Sequence, residues 1–136
     1  EQLKDLDLSD YTIMVVDDSE TIRAVVQRTL GMTRLAIDEV IHAENGRDAL
    51  AKLRNTWVDI VFTDINMPDI DGVKLVDTMN EDPEMSEIPV VIVSTEGSTT
   101  RIEELRKKGV KGYLRKPFTP EAIRDIILET LGGWDG

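Results

Sequence analysis

Asp59-Ile60-Val61-Phe62-Thr63-Asp64 holds a run of strand-forming residues that ends abruptly on an acid. Ile, Val, Phe and Thr favour the extended chain, and there is no polar alternation to mark a solvent face. A run that is apolar throughout is what a strand covered on both sides requires. Two other runs read the same way: Ile13-Met14-Val15-Val16, ending at Asp17-Asp18, and Pro89-Val90-Val91-Ile92-Val93, ending at Ser94. Two weaker ones are Glu39-Val40-Ile41-His42 and Gly112-Tyr113-Leu114-Arg115, the latter ending at Lys116-Pro117.

Segments of helical period lie between and after these runs. Ser19 can cap a helix with Ile22, Val25, Val26, Thr29 and Leu30 on one face. Asn45-Gly46 leads to a helix near Arg47–Arg54, and Asp71-Gly72, beyond a loop with Pro68, leads to one carrying Val73, Leu75, Val76 and Met79. A fourth helix follows Gly97 and stops at Gly109, a C-cap position; a fifth is capped by Thr119, with Pro120 at its first position, and stops at Gly132-Gly133. Five strands and five helices in strict alternation predict an α/β fold with a parallel sheet. Five such units cannot close a barrel, so the open doubly wound sheet is favoured.

At 136 residues the chain suits one domain, expected over 12–131, with an N-terminal extension over 1–11 and a C-terminal tail over 132–136. Hydrophobic residues make up 40% and charged residues 32%, the balance of a soluble globular protein rather than a disordered one. No apolar run approaches the roughly 20 residues needed to span a membrane, and no secretory signal opens the chain. Cytoplasm is the expected compartment. Cysteine is absent, which excludes disulfides and thiolate metal sites. The net charge of −11 disfavours direct binding of nucleic acid and favours partners with basic patches. The lone histidine, His42, cannot anchor a multi-histidine metal site and reads as structural.

In open α/β sheets, ligands bind beyond the carboxyl ends of the strands. There the sequence places Asp17 and Asp18, Asp64, Ser94 and Thr95, and Lys116, each directly after an apolar run. Any one of these could be a turn residue, a helix cap or a surface lysine; their joint arrival at one edge is what carries weight. Two carboxylates about 5 Å apart at an effective dielectric near 20 repel by roughly 3 kcal/mol. A hard divalent ion with oxygen ligands relieves this, and magnesium can bridge to a phosphate. A lysine and a hydroxyl suit phosphoryl oxygens. The set offers a carboxylate nucleophile, a metal site, a cation and a hydrogen-bond donor, the parts that phosphoryl transfer needs.

From about Tyr11 to Leu131 the sequence resembles the receiver domains of two-component response regulators. Asp17-Asp18, Asp64-Ile65-Asn66-Met67-Pro68, the Asp71-Gly72 turn, Ser94 and Lys116-Pro117-Phe118 carry the resemblance. It implies a flavodoxin-like (βα)5 sheet of order 2-1-3-4-5, which the pattern alone does not give. It also implies Asp64 as phospho-acceptor, with magnesium (or manganese in its place) held by Asp18, Asp64 and the Asn66 carbonyl, and by Asp17 through water. Lys116 would contact the phosphoryl group, and its bond to Pro117 resembles one that is cis in the family. Ser94 would swing toward the phosphoryl oxygen and Tyr113 would turn inward, altering the face of the fourth helix, fifth strand and fifth helix. Asn66 and Glu96 occupy positions where the family tunes hydrolysis. Thr95, larger than the usual residue there, is expected to narrow access and slow it.

By the same resemblance the donor is a phospho-histidine on a histidine kinase or histidine phosphotransfer protein, and the output is a downstream protein target. The run Asp18-Ser19-Glu20-Thr21-Ile22-Arg23 is most similar to chemotaxis-type receivers, which makes a stand-alone regulator the expectation. A receiver excised from a larger regulator or hybrid kinase is the alternative. An aspartate-nucleophile phosphatase is more remote, because Asn66 stands where such an enzyme needs its second acid. A flavin-binding module would need a hydroxyl- and glycine-rich loop where Asp17-Asp18-Ser19-Glu20 stands. On these readings the chain is a switch that catalyses only its own phosphorylation and dephosphorylation, not a turnover enzyme.

Overall fold

The computed structural model describes residues 11–67, 70–95 and 99–132. Five strands alternate with five helices: β1 (Tyr11–Val16), α1 (Glu20–Gly31), β2 (Ile37–Ala43), α2 (Gly46–Leu53), β3 (Ile60–Thr63), α3 (Gly72–Glu81), β4 (Val90–Ser94), α4 (Thr99–Lys107), β5 (Gly112–Arg115) and α5 (Pro120–Ile127). The strands pair in parallel in the order β2-β1-β3-β4-β5. This is the flavodoxin-like arrangement that the resemblance implied.

Side-chain alternation explains why the stretches 13–16, 60–62 and 90–93 of the three central strands are apolar at every position. Ile13, Val15, Ile60, Phe62, Val91 and Val93 face one core, against Val26 and Leu30 of α1 and Ile123 and Ile127 of α5. Their neighbours Met14, Val16, Val61, Val90 and Ile92 face the other, with Leu50 and Leu53 of α2, Leu75, Val76 and Met79 of α3, and Leu105 of α4. The weak second and fifth runs are the sheet's two edges, where one flank lacks a neighbouring strand. Asp59, expected as the first residue of the third strand, lies just before it. Its carboxylate accepts from Thr12 N at 2.7 Å and Trp57 Nε1 at 2.9 Å, closing the start of β3 onto β1.

The helices begin where side-chain oxygens can satisfy their first free amides. Ser19, Asn45, Asp71 and Thr119 are the N-caps, each accepting from a backbone N–H three residues on. Helix α4 ends with Gly109 at φ 97°; Gly109 N donates to Arg106 O at 3.0 Å and Val110 N to Leu105 O at 3.2 Å. That pair of bonds is a Schellman closure, which a residue with a Cβ would enter only under strain. Two expectations shift. Val25, placed on the buried face of α1, is 44% exposed, because Val26 and Leu30 already fill the contact with the sheet. Helix α5 does not run regularly to Gly132; it widens into a π-turn over Leu128–Gly132 that keeps Leu131 against the core.

Candidate functional site

Parallel strands bring their carboxyl ends to one edge, and backbone bonds fix the residues that leave it. Asp17 N donates to Ala43 O, Asp64 N to Val16 O and Lys116 N to Ser94 O, each at 3.1 Å. Thus the exits of β1, β3 and β5 are each tied to the end of a neighbouring strand. Asp17 is buried, Asp64 half-buried and Asp18 exposed, and the three carboxylates offer oxygens all within 4.8 Å of one another. That is the acid cluster expected from the sequence.

Asp17 is held from three sides. One carboxylate oxygen accepts from Ser19 N at 2.9 Å, the other lies 3.2 Å from Lys116 Nζ, and its carbonyl accepts from Arg23 Nη1 at 2.6 Å. The Lys116 ion pair is well shielded, with 17% of that side chain exposed. Asp64 accepts from Ile65 N at 2.8 Å and is hydrogen-bonded by the Ser94 side chain. Burial pushes its carboxyl above the ordinary range and Asp17 pushes the same way; Lys116, the Ile65 amide and the Ser94 hydroxyl pull against this without cancelling it. A carboxylate left at such a cost is suited to a cation or an electrophile. The donor set fits magnesium: carboxylate oxygens only, partly open to water.

The remaining candidates are distributed around this centre. Ser94 is fully buried at the end of β4. Tyr113 is half-buried on edge strand β5, with its hydroxyl donating to Ser94 O at 3.3 Å. The Ser94 carbonyl thus links the end of β4 to the Tyr113 ring on β5. The Lys116-Pro117 peptide is cis, as the resemblance implied. Asn66 is exposed two residues beyond Asp64. Thr95 is exposed and, with Lys116, Pro117 and Phe118, lines one side of a cavity of ≈ 350 Å³ whose other wall is Ile22, Val25, Val26 and Thr29 of α1. Glu96, Gly97 and Pro68 lie outside the described residues.

His42 joins β2 to α1: Nδ1 accepts from Arg23 Nε at 3.3 Å, and Nε2 lies 2.7 Å from Gln27 Oε1. Burial, then Arg23 and Lys52, hold its pKa below the usual value, with Glu20 opposing. The residue that sequence reasoning missed is Arg23. A cation one turn into a helix opposes the dipole, and that misfit was the available sign that Arg23 has a nearby acceptor.

Comparison with known proteins agrees with the fold. The sequence model for the family described as "Response regulator receiver domain" matches residues 13–128. The "Chemotaxis protein CheY homolog" of Campylobacter jejuni is 37% identical over 125 residues, covering 91% of this chain and 95% of that protein. "Chemotaxis protein CheY1" of Helicobacter pylori is 37% identical over 121 residues, covering 88% and 96%. The solved structure of Vibrio cholerae chemotaxis protein CheY4 superposes with a TM-score of 0.80 at 32% identity, covering 90% of this chain and all of that one.

Proposed function

The chain belongs to the family of response regulator receiver domains, and from that premise we propose that Asp64 accepts a phosphoryl group from a phospho-histidine donor. The observation that carries this is the placement of Asp64 among Asp17, Asp18, Lys116 and Ser94 at one sheet edge. An Asp64 carboxylate oxygen attacks phosphorus in line with the imidazole nitrogen of the donor. The N–P bond breaks as an acyl-phosphate O–P bond forms, and the imidazole leaves with its electron pair and takes a proton. Attack by water later returns the carboxylate and inorganic phosphate. Magnesium, or manganese in its place, would be held by Asp18, Asp64 and the Asn66 carbonyl, and by Asp17 through water, and would neutralise charge on the phosphoryl oxygens.

Lys116, now on Asp17, is within reach to share its charge with the phosphoryl group. Ser94 exchanges its bond to Asp64 for one to a phosphoryl oxygen, and Tyr113 follows through the Ser94 carbonyl. The face of α4, β5 and α5 then differs between the two states and is read by a protein partner. A net charge of −11 favours a basic surface on that partner. The similarity to chemotaxis proteins supports a chemotactic output.

The test is incubation with acetyl phosphate and magnesium, followed by intact-mass measurement. The expected result is a gain of one phosphoryl group that is lost in Asp64→Asn and on chelation. No gain under conditions that phosphorylate other receivers would refute the proposal.

A further inference from the structure

We propose that Arg23 is a positioning residue of the acid cluster, and that His42, acting through Arg23, makes the cluster's hold on a divalent cation weaken as the solution becomes mildly acidic. This rests on the reading of Asp17, Asp18 and Asp64 as a magnesium site.

The carbonyl that Arg23 holds belongs to the peptide joining Asp17 to Asp18. That unit is planar, so the 2.6 Å bond from Arg23 Nη1 to Asp17 O fixes the direction in which the chain leaves for Asp18. The Asp17 side chain has anchors of its own in Ser19 N and Lys116 Nζ. Asp18 is exposed, and Arg23 orients the peptide from which it projects. A charge-assisted bond to a main-chain carbonyl suits that task.

Arg23 is itself anchored. With His42 Nδ1 accepting from Arg23 Nε, the ring proton sits on Nε2 and donates to Gln27 Oε1, so the neutral imidazole is satisfied at both nitrogens. A second proton would place an N–H on Nδ1 facing the Arg23 N–H, two donors on two cations at 3.3 Å. The charged groups facing the ring add to this. From α1 come Arg23 and Glu20, and from α2 comes Lys52, whose Nζ donates to His42 O at 2.5 Å. Two cations outweigh one acid, and burial acts with them, so the ring is held neutral until the solution is acidic. On protonation Arg23 loses its outer anchor, and the Asp17–Asp18 peptide loses part of its restraint.

The experiment is calorimetric titration of the intact chain with magnesium chloride alone, at several pH values from about 7.5 to about 4.5, a window carried below the ordinary histidine range because this ring is held neutral into it. The protein variants are wild type, Arg23→Ala, Arg23→Lys and His42→Gln, with circular dichroism confirming the fold of each. Affinity in all of them falls with acid as carboxylates take up protons, so the informative quantity is the difference between curves. Arg23→Ala is expected to bind magnesium about five- to tenfold more weakly at the upper pH, the worth of one lost hydrogen bond. Arg23→Lys, which can reach one acceptor but not fork to two, should recover part of this. Between the two pH limits, the affinity of His42→Gln should fall about three- to tenfold less than that of wild type. Curves for wild type and His42→Gln that run parallel, or an Arg23→Ala affinity equal to wild type, would overturn the proposal. A wild type that binds no magnesium at any pH would overturn the metal-site reading instead, and this proposal with it.

Discussion

On the proposed function Asp64 carries two demands that conflict: it must be ionised to act as a nucleophile, and it sits where ionisation is disfavoured. Its folded pKa lies above the unfolded one, so the native state resists losing this proton. The conflict is absent below the unfolded value of about 3.9, grows as pH rises toward the folded value, and is complete above it. Asp64→Asn removes it while keeping the side-chain shape. In buffer with a metal chelator, the variant should therefore melt at a higher temperature than wild type at neutral pH, and the gap should close as pH falls toward about 4. Equal melting temperatures at neutral pH would mean that Asp64 is well solvated. Thr95 makes a second prediction at this scale. It is exposed at the rim it shares with Lys116 and Pro117, and on the proposed function its bulk there hinders the water that attacks the phosphoryl group. Thr95→Ala should hasten loss of the phosphoryl group by a few-fold, read as decay of the phosphorylated mass in excess chelator; an unchanged decay rate removes Thr95 from the account.

Elements hold the site by close approach. A Cβ on Gly72, the first residue of α3, would lie 2.4 Å from Asp64 O and 2.9 Å from Ile65 Cα, both backbone atoms that cannot swing aside. Gly72 N also donates to Ile65 O at 2.8 Å. Gly72→Ala must push α3 off the chain that carries Asp64, at a cost of about 1–3 kcal/mol or more. Gly31, at the end of α1, meets nothing within 4 Å. There the same substitution should stabilise by up to about 1 kcal/mol through helix propensity alone. Chemical denaturation of the two variants measures both signs, and only Gly72→Ala should also slow phosphorylation by acetyl phosphate. The Asp71-Gly72 pair was visible in the sequence as a turn, but its contact with residue 64 was not, since backbone proximity leaves no mark in residue type. The acids and the serine were legible because each follows a run of residues that reads as a buried strand; the lysine follows the weaker edge run of β5 and was legible through the Lys116-Pro117-Phe118 motif. Val25 was misplaced because helical period gives a broad stripe, and the sheet covers only the part of it under Val26 and Leu30. The bond from the Tyr113 hydroxyl to Ser94 O was not legible, because it depends on which acceptor a hydroxyl finds.

For the molecule as a whole, the three strand-end carboxylates are part of a charge of −11. Any salt eases that general repulsion, and screening lengths of about 8–10 Å at ordinary ionic strength make the easing non-specific. A divalent ion bound between Asp17, Asp18 and Asp64 would act differently, because the site needs the exits of two strands, β1 and β3, side by side and the unfolded chain does not supply it. Binding to the native state alone adds RT ln(1 + [L]/Kd), about 1.4 kcal/mol when the ion is at ten times its dissociation constant. Magnesium chloride should accordingly raise the melting temperature by more than sodium chloride of equal ionic strength, with a rise that continues logarithmically past saturation. Asp18→Asn takes away the exposed carboxylate of the cluster and leaves the buried Asp17–Lys116 pair in place. In that variant the two salts should become nearly equivalent. If magnesium still stabilises it more than sodium does, the ion binds elsewhere on this acidic surface, and the convergence at the sheet edge is not what holds it.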